Sequence, residues 1–138
     1  MMNAADVNRY IGLPWVSGAI GPDAFDCWGL LRWVQRVHFA TDLPARELDA
    51  ELMRDLYQKQ MAAGAWRVIS MPAHGCGALL RGGDRPHVGV YLAIDGGGVL
   101  HAQQGVGVIF TSIRKLKMMG YSRVSWYDFI SRDNRSRA

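Results

Sequence analysis

A cysteine directly ahead of a helical pattern is the first feature of this 138-residue chain that could do covalent chemistry. Cys27 stands in "AFDCWGLLRWV", and Asp26 is a suitable N-cap for the helix that follows. A thiol attacks a carbonyl as its thiolate, and at the usual pKa of about 8.5 only a few per cent is ionised at neutral pH. Because the positive end of a helix stabilises an anion, this position favours a reactive thiol.

A nucleophilic thiol also needs an imidazole, and two of the four histidines are well placed to supply one. His87 opens "HVGVYLAI" and His101 lies in "GVLHAQ", two β-rich runs that the turn "DGGG" predicts to be a hairpin. One ring could face the thiol while the second fixes its tautomer. His38, about 16 Å along the same helix from Cys27, is too distant to pair with it. Singly, each residue has an ordinary structural interpretation, so only the combination predicts a site.

The order of elements predicts one α+β domain over residues 1–130. Helices are expected at about 3–11 and 27–39 and within "LPARELDAELMRDLYQKQMAAG", after which six short runs have the composition of strands. The N-terminal helices should pack on a central antiparallel sheet. The polar segment 131–138 is expected to be a disordered tail.

Composition and charge exclude several classes of function. The chain is 49% hydrophobic with a net charge of +4, which is typical of a soluble globular domain. It has neither an apolar run long enough for a membrane span nor the pattern of a secretory signal, so we expect synthesis in the cytoplasm. The basic cluster of Arg114, Lys115 and Lys117 is interpreted as a solvated face, and no nucleic acid is expected as a partner.

The second cysteine, Cys76, is interpreted as a buried structural thiol. A metal site built from both cysteines and the histidines is an alternative, but "HGC" at 74–76 lacks the paired spacing of zinc motifs. We therefore expect no metal and no cofactor.

Three motifs taken together resemble a known family. "FDCWGLL", "HVGVYL" and "VLHAQQGVGV" are similar to the motif series of the NlpC family of papain-like cell-wall cysteine peptidases. The segment "YIGLPWVSGAIGPDAFDCWG" resembles the bacteriophage branch of that family, which includes the peptidase portion of the lambda tail protein K. The resemblance covers about residues 5–129 and implies a papain-like fold.

Carried over to this chain, the resemblance implies a triad of Cys27 as nucleophile, His87 as base and His101 as orienting residue. The implied reaction is hydrolysis of an amide in peptidoglycan stem peptides, commonly the bond from γ-D-glutamyl to the diamino acid. The backbone N–H of Cys27 is the expected oxyanion donor.

Four further residues are candidates for binding the substrate or the oxyanion: Trp15, Asp26, Trp28 and Gly29. Trp15 stands where many relatives have a tyrosine, and its indole N–H could act as a donor in its place. Gly29 would keep the first helical turn narrow beside a bulky substrate, or else serve ordinary helix packing.

The implied partners are peptidoglycan and other phage tail proteins, with action at the cell wall as part of a tail or virion. Two alternatives stay open. One is a structural tail-assembly protein with weak or no peptidase activity. The other is a different thiol reaction on the same fold, either acyl transfer or an amidase.

Overall fold

The computed structural model describes residues 2–45, 50–82 and 86–129. These residues form four helices, α1 (Ala4–Tyr10), α2 (Cys27–Phe39), α3 (Ala50–Ala62) and α4 (Ile113–Met118). They also form six strands, β1 (Trp66–Ile69), β2 (Gly77–Arg81), β3 (His87–Leu92), β4 (Gly98–Gln103), β5 (Gly107–Ser112) and β6 (Arg123–Phe129). Residues 46–49, part of the stretch predicted to contain the third helix, and the predicted tail 131–138 lie outside the described residues.

The six strands form one antiparallel sheet in the order β1-β6-β2-β3-β4-β5. α2 packs against β3 and β4, and α3 packs against β1. This confirms the predicted α+β class with helices on a central antiparallel sheet. None of the described helices has the length and apolar character needed to cross a membrane.

The hairpin between β3 and β4 is confirmed, and its turn has the backbone that its sequence requires. Asp95 and Gly96 both have positive φ, 51° and 84°, which is the requirement of a type I′ turn. Val90 faces Leu100 in the resulting register, and Leu92 faces Gly98. The last residue of β3 therefore lies beside the first residue of β4.

The two faces of the sheet bury separate apolar clusters. Val90 and Leu100 pack with α2, whereas Val99 packs with Leu116 of α4 on the other side. Successive side chains of β4 thus point to opposite faces of the sheet, and both faces are covered by other parts of the protein. α4 was not predicted, because a helix of six residues with one buried side chain, Leu116, is too short to show helical periodicity.

The first turn of α2 is tied to the loop before it. The Asp26 carboxylate is 2% exposed and accepts the backbone N–H of Gly29 at 2.7 Å and that of Gly18 at 3.0 Å. A side chain at Gly29 would place its Cβ 2.2 Å from the Ala19 carbonyl oxygen. Asp26 and Gly29 together hold the loop against the helix start at Cys27.

Replacing Asp26 should therefore destabilise the protein more than replacing an ordinary cap. Asp26→Ala leaves two backbone donors without their carboxylate, one of them buried, and we expect a loss of about 2–4 kcal/mol in the free energy of unfolding. The matched control is Ser112→Ala, which removes a 3.3 Å exposed bond to the Lys115 N–H and should cost less than about 1 kcal/mol. Urea denaturation measures both, and equal losses would contradict the role given to Asp26.

Candidate active site

Two buried histidines are in direct contact at the end of the β3–β4 hairpin away from its turn. Nε2 of His87, the first residue of β3, lies 2.8 Å from Nδ1 of His101 on β4. Their ring planes are inclined by 74°. His87 is 9% exposed and His101 is fully buried. The predicted contact between the two rings is present.

The glycine two residues after His87 lies against His101 of the neighbouring strand. A side chain at Gly89 would place its Cβ 3.0 Å from the Cβ of His101 and 2.5 Å from Cγ1 of Val99. No substitution would fit there without moving β4. Sequence reasoning missed this residue, although a glycine inside a strand is a known signal of close approach.

The chain of contacts continues from His101 into β5. Its Nε2 lies 2.9 Å from Oγ1 of Thr111, which is itself buried. Both nitrogens of His101 thus have a partner, one in each neighbouring strand. This fixes the orientation of the His101 ring, and through it the ring of His87.

Burial controls the charge of the pair. It lowers the pKa of His87 to about 4. Burial, together with the charge of His87, lowers the pKa of His101 to about 3. An imidazolium loses its hydration in such a place, so the neutral form is favoured. Both rings are therefore neutral at pH 7, and one N–H of the pair lies in the bond between them.

Tyr121 covers the outer side of the histidine pair. Its ring stacks on His87 with centroids 5.5 Å apart and planes inclined by 14°. Its hydroxyl donates to Oε1 of Gln103 at 2.8 Å. Neither Tyr121 nor Gln103 was predicted, since each belongs to an element whose approach to His87 depends on the tertiary fold.

Cys27 is the first residue of α2, and its charge acts on this tyrosine. The thiol is half-buried and packs against the core under α2. Burial raises the pKa of the Tyr121 hydroxyl, the bond to Gln103 lowers it, and the negative charge of the Cys27 thiolate raises it. The same charge, after burial and Tyr127, raises the pKa of Tyr57. The fold therefore places Cys27 near enough for its charge to act on the tyrosine that stacks on His87.

The other predicted site residues lie around the start of α2. Trp28 is 3% exposed, and its indole N–H donates to the Pro44 carbonyl at 3.1 Å. Asp26 and Gly29 bind the loop as described above. Trp15 is half-buried and forms a bridge with Phe25. Packing and hydrogen bonding within the fold account for the residue types at Trp28, Asp26 and Gly29. A direct role in binding a substrate stays a prediction for these three residues and for Trp15.

The remaining cysteine and histidines have structural surroundings. Cys76 is 4% exposed, and burial raises the pKa of its thiol, which confirms the predicted burial and leaves the structural role a prediction. His74 accepts the Ala93 N–H at 2.9 Å, and Nε2 of His38 lies 2.7 Å from the Tyr10 hydroxyl. Within the described part of the chain, no group of three or more His, Cys, Asp or Glu residues could hold a metal ion.

Comparison with known proteins identifies the family of the chain. The model of the NlpC/P60 family matches residues 12–125, a span that contains Cys27, His87 and His101. The chain belongs to the NlpC/P60 family. No curated protein matches it significantly.

The fold of this NlpC/P60 domain is also found in a solved relative. The crystal structure of the NlpC/p60 domain of the peptidoglycan hydrolase SagA is similar, with a TM-score of 0.58 and 25% sequence identity. The similarity covers 88% of this chain and 92% of that one. The papain-like fold implied by the three motifs is thereby confirmed.

The buried histidines should make the stability of the domain depend on pH. The unfolded chain takes up protons below the ordinary histidine pKa of 6.5, whereas folded His87 resists protonation down to about 4. The free energy of unfolding should therefore fall as the pH drops from about 6.5 towards 4, by up to about 1.4 kcal/mol per pH unit for each histidine.

Urea denaturation at pH 7, 6 and 5 measures this effect. His101→Gln removes one of the two groups, so its stability should fall less steeply over the same range. An identical pH dependence in the variant and the wild type would contradict the assignment of the effect to this pair.

Proposed function

We propose that this protein is a cysteine peptidase that hydrolyses amide bonds in peptidoglycan stem peptides. The observation that carries the proposal is the 2.8 Å contact between His87 and His101, on which Tyr121 stacks. The family supports it, and so does the similarity to a domain whose parent protein is described as a peptidoglycan hydrolase.

The geometry suggests which role each of Cys27, His87 and His101 takes in the reaction. Nε2 of His87 is engaged by His101, so Nδ1 is the nitrogen that serves the thiol. The neutral ring takes the proton from Sγ of Cys27 as the sulfur attacks the substrate carbonyl. The resulting imidazolium then protonates the leaving amine as the C–N bond breaks. Water, deprotonated by the same ring, hydrolyses the acyl-enzyme and restores the thiol.

The start of α2 supplies the electrostatic part of the proposal. Its positive end stabilises negative charge on the Cys27 sulfur. The backbone N–H of Cys27 is proposed as a donor to the oxyanion of the tetrahedral intermediate. The indole N–H of Trp15 is proposed as a second donor, in the place where many relatives have a tyrosine.

Two finer assignments extend the proposal. The bond cleaved is proposed to be that from γ-D-glutamyl to the diamino acid, as the family resemblance implies. The site of action is proposed to be a phage tail or virion at the cell wall, after synthesis in the cytoplasm. The loop before Cys27, with its resemblance to the bacteriophage branch, supports this second assignment.

Loss of the nucleophile tests the activity. Cys27→Ala should reduce the release of soluble fragments from purified peptidoglycan by about a thousand-fold or more. The matched control is Cys76→Ala, which removes the other thiol, 4% exposed, and should keep activity within about three-fold, because a buried packing residue takes no part in the chemistry. Equal release by wild type and Cys27→Ala would leave only a structural role in assembly.

Mass spectrometry of the released muropeptides identifies the bond. We expect fragments ending in D-glutamate and fragments beginning with the diamino acid. Cleavage of the amide that joins the peptide to the sugar would instead assign an amidase, and transfer to an added amine without hydrolysis would assign an acyl transferase.

Purified particles test the tail assignment. An epitope-tagged copy expressed during phage production should co-sediment with assembled tails and be detected there by immunoblotting. Its absence from tails that are otherwise complete would contradict this part of the proposal and leave the peptidase activity unaffected.

A further inference from the structure

We propose that Thr111 is a positioning residue that selects which nitrogen of His87 acts as the base. Its hydroxyl does so by accepting the Nε2–H of His101. The inference rests on the proposed function, because it concerns the proton arrangement that the peptidase reaction requires.

Thr111 is built into the same buried unit as the two histidines. It lies on β5 opposite Val99, two residues from the pair that His101 makes with Ile109. Diagonal neighbours of this kind on one face of a sheet are within reach of a long side chain. The hydroxyl is 5% exposed, so bulk water does not compete for the bond to His101.

Two proton arrangements are compatible with the observed distances when both rings are neutral. In the first, Nε2–H of His87 donates to Nδ1 of His101, and Nε2–H of His101 donates to Thr111. In the second, every bond is reversed, and the Thr111 hydroxyl donates to His101. The structure allows both, since a hydroxyl can accept and donate.

Only the first arrangement gives a working base. It leaves the lone pair of His87 on Nδ1, the nitrogen that the proposed reaction assigns to the thiol. The second arrangement puts a proton on Nδ1, so that the ring can accept nothing from Cys27. The proposed reaction therefore requires Thr111 as an acceptor.

Thr111 also supports the step in which His87 becomes charged. A proton gained at Nδ1 strengthens the Nε2–H bond to His101, which in turn strengthens the bond from His101 to Thr111, because linked hydrogen bonds polarise one another. The threonine oxygen is the acceptor at the end of this chain. Without it, the Nε2–H of His101 would be a buried donor with no partner, a state that folded proteins avoid more strictly than a bare acceptor.

The test compares Thr111→Val, which keeps the shape and removes the hydroxyl, with Thr111→Ser, which keeps the hydroxyl. Thr111→Val should lower kcat on peptidoglycan fragments roughly ten- to a hundred-fold and leave KM within about two-fold, since Thr111 does not touch substrate. Thr111→Ser should restore kcat to within about three-fold of wild type.

Ring ¹⁵N NMR of the histidines distinguishes positioning from a general loss of structure. Wild-type protein near pH 7 should show protonated Nε2 and unprotonated Nδ1 in both rings. In Thr111→Val the protons should move towards Nδ1 of both rings, because the bare Nε2 of His101 is then the less costly state.

A wild-type spectrum with the proton of His101 on Nδ1 overturns the proposal without any variant. Unchanged kcat and unchanged ring signals in folded Thr111→Val overturn it as well. Failure of the proposed function has a different signature, namely no cleavage by wild type. In that case the rate at which iodoacetamide alkylates Cys27 is compared between wild type and the Thr111 variants in place of kcat. The NMR measurement of the ring protons needs no substrate.

Discussion

The bond between Nε2 of His87 and Nδ1 of His101 is the interaction on which the candidate site depends. It determines which nitrogen of His87 is left for a thiol. It can form only if β3 and β4 pair in one register, because a shift of one residue would send His101 to the opposite face of the sheet. The turn at Asp95 and Gly96, both with positive φ, and the absence of a side chain at Gly89 are compatible with that register.

Burial determines the protonation state of the two histidines and also affects the stability of the folded protein. Two imidazoles removed from water remain neutral at pH 7, and a neutral ring is what a general base requires. The same removal from water means that the folded protein binds fewer protons than the unfolded chain at mildly acidic pH. Stability at low pH is thus lowered by the feature that keeps His87 unprotonated.

The thiol is positioned by a separate device. Asp26 ends the loop and begins α2, and its carboxylate and the Ala19–Gly29 contact hold the two together. α2 then packs on β3 and β4, so the helix that begins with Cys27 lies against the strands that carry the histidines. The loop is bonded to the sheet at β5, where the Val108 N–H donates to the Leu13 carbonyl at 2.9 Å.

Local sequence determined the start of α2 at Cys27 and the β3–β4 hairpin, since caps, turns and strand composition act over a few neighbouring residues. It also offered Cys27, His87 and His101 as the candidate site residues. It did not reveal α4, or that Trp28 is buried against Pro44 and Trp66. Thr111, Tyr121 and Gly89 also became visible only in the tertiary structure. Strand periodicity tells which face a side chain occupies, but the neighbour it meets across the sheet depends on register and strand order, which are set by the packing of the whole domain.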